Sequence, residues 1–147
     1  MLDEILTYFF TKFWSLYINI MLRRKGKKGV NKNMKEVYGI IRKLGLTSKY
    51  KGYYYLAEAV NMVMEQKEEQ MRITKDIYPG LSKKFKSTPS NIEHDLRTVI
   101  NVCWKTNKSG LDKIAGYPLK FKPTNSEFID MLAYYLLEED TIKTNVG

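Results

Sequence analysis

Between Lys83 and Asn101 the stretch KKFKSTPSNIEHDLRTVIN gathers side chains suited to recognising a charged, hydrogen-bonding partner. Asn91 can pair bidentately with adenine, Glu93 can accept from cytosine, and Arg97 can grip guanine or a phosphate. Ser90, His94, Thr98 and Asn101 complete the polar set, and Lys83, Lys84 and Lys86 precede it. Thr88 before Pro89 is a strong helix start, because proline's fixed φ suits the first helical position and its missing N–H costs nothing there. A capping box on Ser90-Asn91-Ile92-Glu93 would open the same helix one turn later. From Pro89 to about Lys105, residues Ile92, Leu96, Val99, Ile100 and Cys103 fall within about a third of the circumference at ~100° per residue. Ser90, His94, Arg97, Thr98 and Asn101 fall opposite them. One flank is therefore built to be buried and the other to face outward.

A preceding helix that ends near Phe85, followed by Lys86-Ser87-Thr88, makes a helix-turn-helix. The major groove of B-DNA, about 12 Å wide, admits one helix, whose N-terminal residues point at base edges. Its free amides favour phosphate, and Lys83, Lys84 and Lys86 are placed to hold the backbone and fix register.

The rest of the chain supplies scaffolding. Apolar residues recur at three- and four-residue spacing from Asn33 onward, which predicts an all-α domain of about six helices. The first covers about Met34–Leu44, with Val37, Ile40, Ile41 and Leu44 inward and Gly45 ending it. The second covers about Lys51–Gln66, where successive tyrosines 53, 54 and 55 must point different ways and at least one joins the core. Thr74 is the expected N-cap of a third helix, and Pro79 predicts a kink or break after Tyr78. Gly110–Gly116 reads as a short helical turn, and Lys120-Phe121-Lys122-Pro123 as an extended lead-in. Thr124-Asn125-Ser126-Glu127 is a capping box for a last helix with Phe128, Met131, Leu132, Tyr135 and Leu136 inward. Past Asp140 the tail is polar and expected to fray.

The 147 residues carry a net +9, distributed unevenly. Residues 1–35 hold eight basic and two acidic side chains, a net +6, and the remaining 112 residues carry only +3. Bulk charge in the body is thus a weak argument for a polyanionic partner. Residues 5–22, ILTYFFTKFWSLYINIML, sit at the margin of the roughly 20 apolar residues that span a bilayer. They predict an extra apolar N-terminal helix over 1–22 that packs on the body, pairs subunits or contacts a membrane. A membrane contact through 1–28 would keep the body in the cytoplasm, because the basic tract follows the apolar segment. Residues 23–32 read as a basic linker, 33–140 as the domain and 141–147 as a flexible tail.

With one cysteine and one histidine, no zinc centre or cysteine–histidine cluster can be assembled. No phosphate-binding glycine loop or metalloprotease motif is present, and Glu68-Glu69 and Glu138-Glu139 sit at helix ends. A non-enzymatic protein with no cofactor and no metal is expected, with Cys103 as a small core residue.

Three segments resemble a known family: KGYYYLAEAV (51–60), ITKDIYPGLSKKFKSTPSNIEHDLRTVINVCW (73–104) and KPTNSEFIDMLA (122–133). In order and spacing they are similar to the C-terminal effector domain of stage 0 sporulation protein A, over about Asn33 to Glu139. The resemblance implies a six-helix regulator of sporulation genes in the cytoplasm, binding double-stranded DNA at tandem sites as a dimer and touching an RNA polymerase sigma factor. The family's phosphorylated receiver domain has no counterpart in these residues. Glu93 and Arg97 match family contact positions, whereas Asn91, His94 and Ala57 stand where arginines are usual. Fewer cationic contacts imply weaker, less salt-dependent binding, and Asn91 implies a shift from guanine toward adenine. The competing expectation is an interaction module that antagonises a related regulator or binds RNA polymerase without reading DNA.

Overall fold

The computed structural model describes residues 30–66 and 71–146, with side chains from residue 33. The expected N-terminal helix, most of the basic linker and any membrane contact through 1–28 lie outside the described residues. Among the described residues the fold is all-α: α1 (Val30–Lys43), α2 (Lys51–Glu65), a π-helical turn (Ile73–Ile77), α3 (Tyr78–Phe85), α4 (Pro89–Thr106), α5 (Lys108–Ala115) and α6 (Asn125–Val146). No described helix is long and apolar enough to cross a membrane.

α1 starts earlier than expected, because nothing between Val30 and Met34 breaks a helix. It ends where Gly45 adopts φ 88°. The Gly45 amide donates to the Arg42 carbonyl (2.9 Å) and the Leu46 amide to the Ile41 carbonyl (3.3 Å). This is a Schellman closure in which Leu46, fully buried, supplies the hydrophobic seal.

α2 lies at the centre, packed on α1, α4 and α6. Tyr53 and Tyr55 are buried, whereas Tyr54 is 43% exposed, as successive helix positions require. Tyr55 packs edge-on against Phe85 of α3, with ring centroids 5.0 Å apart. The crossing with α4 depends on Gly52. A Cβ there would lie 2.3 Å from the Asp95 carbonyl oxygen and 2.8 Å from Val99 Cγ1. The core joins α1 (Ile41), α2 (Leu56), α3 (Leu81), α4 (Ile92, Leu96, Ile100), α5 (Leu111) and α6 (Phe128, Leu132).

Four expectations need correction. Thr74 is not a helix cap: the π-helical turn starts after Arg72, whose amide donates to Asp76 Oδ2 (2.7 Å), so the carboxylate four residues on does the capping. The change of geometry falls between Ile77 and Tyr78, one residue before the expected break, and leaves Pro79 in the first turn of α3 where its missing N–H is harmless. At the other end, α6 does not stop near Asp140 but continues to Val146. Lys143 Nζ lies 4.0 Å from Glu36 Oε1 on α1. The expected short turn at 110–116 is longer too: Asn107 Oδ1 accepts from the Gly110 amide (3.1 Å) and starts α5 at Lys108.

Candidate nucleic-acid interface

α4 is opened by Thr88, whose Oγ1 accepts from the Asn91 amide (3.2 Å). The alternative capping box at Ser90 is not used, because the helix already begins at Pro89 and Ser90 lies inside its first turn. Ile92, Leu96, Val99, Ile100 and Cys103 are all buried, as their periodicity requires. Burial pushes the Cys103 thiol up to about 12, so it carries no thiolate near neutral pH. The opposite flank is open: Ser90, Asn91, His94 and Arg97 are exposed, and Glu93, Thr98 and Asn101 are half-buried.

The turn between α3 and α4 is tight for a specific reason. Lys86 takes left-handed φ 52°, ψ 48°, a conformation ordinarily glycine's. The Ser87 amide then closes on the Ser82 carbonyl at 3.1 Å, repeating the closure seen at Gly45. Lysine in that conformation costs on the order of 1 kcal/mol. Lys83 and Lys86 are exposed and make no ion pair among the described residues. Lys84 differs: its Nζ lies 2.8 Å from Glu58 Oε2 of α2, so part of its charge is already answered.

The polar flank is organised rather than a row of independent side chains. Arg97 Nε donates to Glu93 Oε1 at 3.1 Å, and a second guanidinium nitrogen reaches the same oxygen. That bonding raises the Arg97 pKa, and the nearby carboxylate charge adds to it. Arg97 is exposed and Glu93 only half-buried, so the pair orients Arg97 more than it stabilises the fold. Thr98 Oγ1 donates back to the His94 carbonyl (3.0 Å).

Two residues outside the sequence-derived set belong to this region. Asn125, at the start of α6 and 9% exposed, donates through Nδ2 to Tyr78 Oη (3.0 Å) and to the Glu93 carbonyl (3.1 Å). One amide thus ties both helices of the helix-turn-helix to α6. The capping box beside it is reciprocal: the Thr124 amide donates to Glu127 Oε2 (3.0 Å) and the Glu127 amide to Thr124 Oγ1 (3.2 Å). Lys122 Nζ reaches Asn101 Oδ1 at 2.5 Å, joining the α5–α6 loop to the outer flank of α4. The PTNSEF string signals the cap, but contacts spanning 21 to 47 residues leave no mark in local spacing. Ala57 is fully buried, so it is a core residue here and not a vacated surface contact.

A helix-turn-helix in an all-α domain, its second helix buried on one flank and open on the other, is the arrangement that one class of DNA-binding regulators uses. Residues 37–136 match the family model described as sporulation initiation factor Spo0A C terminal, and the chain belongs to that family. It is a family of DNA-binding effector domains of sporulation initiation, not an enzyme family. Among the described residues no group of three His, Cys, Asp or Glu side chains could hold a metal ion.

Proposed function

We propose that this protein is a sequence-specific, DNA-binding transcription regulator that places α4 in the major groove. The supporting observation is the open flank of Asn91, His94 and Arg97 on a helix whose other flank is anchored in the core. Asn91 and Arg97 read base edges, with Glu93 holding the guanidinium in place and accepting from a cytosine amino group. Ser90, His94, Thr98 and Asn101 line the groove, and Lys83, Lys84 and Lys86 meet phosphates. With Asn91 and His94 in place of arginines, the preferred site differs from the family's usual one. Family membership further supports pairing on DNA and contact with an RNA polymerase sigma factor, and a chromosomal target puts the domain to work in the cytoplasm.

Enrichment from a random duplex pool tests this directly. The full-length protein is expected to select a defined sequence, and Arg97→Ala to weaken binding to it several-fold. If neither random nor enriched duplex shows a salt-sensitive shift, the protein acts through protein contacts instead.

A further inference from the structure

Lys120, Phe121 and Lys122 form the tip of the α5–α6 loop, and all three are exposed, Phe121 to 76%. The tip is held from both sides. The Leu119 amide donates to Asp112 Oδ1 (2.9 Å), and that carboxylate is itself held by Lys108 Nζ (2.6 Å). On the other side Pro123 is buried and the Thr124–Glu127 box fixes the start of α6. Lys122 then touches Asn101 on the polar flank of α4. A phenylalanine is thus presented between two cations on an anchored loop beside the proposed reading helix.

We infer that the Lys120-Phe121-Lys122 tip is a second DNA-contacting element, gripping the strand that flanks the major groove entered by α4. The inference rests on the DNA-binding reading above. Asn101 lies ten residues beyond Asn91, about 15 Å along the helix at 1.5 Å per residue. With the N-terminal turns of α4 at the base edges, Asn101 lies toward the rim of the groove, so a cation beside it faces backbone and not the bases that Asn91 reaches. Lys122 has three donors and can keep Asn101 while binding a phosphate. Lys120 supplies the second cation, and Phe121 packs on the apolar face of a deoxyribose. A protein partner fits less well. Lysine is depleted from protein interfaces, and among the described residues the other large exposed apolar side chains, Tyr54, Ile142 and Val146, belong to α2 and α6 and not to this loop.

The test uses the full-length protein, the duplex it enriches from a random pool, and versions trimmed by a few base pairs at either flank. Each phosphate contact contributes about 0.9 to the slope of log affinity against log salt. Lys120→Gln/Lys122→Gln should therefore lower that slope by just under two. Trimming the contacted flank should weaken the parent but leave the double variant unchanged. Phe121→Ala should lose about three- to tenfold in affinity at unchanged slope. Thermal melts of all variants should match the parent, since the side chains are exposed.

If slope and flank dependence stay as in the parent while Arg97→Ala still weakens binding, the tip is not a DNA contact, although the reading of α4 stands. If the parent shows no salt-sensitive binding to any duplex, the DNA-binding reading fails and this inference falls with it.

Discussion

Gly52→Ala adds one methyl where α2 crosses α4. The new Cβ would lie 2.3 Å from the Asp95 carbonyl oxygen and 2.9 Å from the Asp95 carbonyl carbon. An ordinary carbon–oxygen contact is about 3.3–3.6 Å, so the α4 backbone must retreat by roughly 1 Å. Val99 Cγ1, at 2.8 Å, can turn away, but both Asp95 atoms are backbone, so no rotamer change relieves the clash. Overpacking of this kind costs about 1–3 kcal/mol. Alanine's helix propensity returns at most about 1 kcal/mol, so a net loss is expected. Gly39→Ala is the control, because nothing lies within 4 Å of a Cβ there and only the propensity gain remains. Urea denaturation at matched m-values reads both signs. Gly52→Ala should be less stable by about 1–2 kcal/mol and bind its selected duplex more weakly, since Asn91, His94 and Arg97 move with α4. Gly39→Ala should be more stable by a few tenths to about 1 kcal/mol. Equal stabilisation by both substitutions would refute the close approach of the two helices.

Three further outcomes follow from the geometry. Lys86→Gly relieves a left-handed φ of 52° while removing a cation; stability should rise by about 1 kcal/mol in thermal unfolding while the DNA salt slope falls by about one. Asn125→Leu leaves Tyr78 Oη without a donor and frees the Glu93 carbonyl; calorimetry should show a loss of about 1–3 kcal/mol. Burial, with Glu127 adding to it, pushes the Asp130 carboxyl up to about 6, so the folded state binds its proton more tightly than the unfolded chain does. The resulting stability is full below about pH 4 and lost as pH rises through about 6. Asp130→Asn should therefore stabilise the protein by on the order of 2–3 kcal/mol at pH 7.5 and by little near pH 3, read from melts across pH.

Much of the fold could be read from local pattern. α4 shows it most clearly: its cap at Thr88, its proline and its buried stripe all depend on residues within one helix. The Thr124–Glu127 box and the glycine closure at Gly45 are legible for the same reason. Thr74 misled because threonine is a good cap by type, whereas Asp76 won by reaching back to the Arg72 amide from inside a π-helical turn. A polar composition past Asp140 resembles a frayed tail, although α6 continues to Val146.

The candidate interface was legible as a face but not as a network. Helical spacing puts Ser90, His94, Arg97 and Asn101 opposite the buried stripe without packing information. It does not reveal that Glu93 holds Arg97, that Lys84 is shared with Glu58, or that Asn125 locks α3 to α4. Those contacts, the long-range ones especially, depend on how whole helices pack.

If the open flank of α4 reads DNA as proposed, binding must carry both a sequence preference and a salt dependence. Selection from random duplex by the full-length protein, followed by affinity measured against salt for the parent and Arg97→Ala, tests it most directly. A defined enriched sequence, a negative salt slope, and a several-fold loss in the variant that is largest on the enriched site are predicted. No enrichment, or equal affinity of parent and variant at every salt concentration, would contradict it.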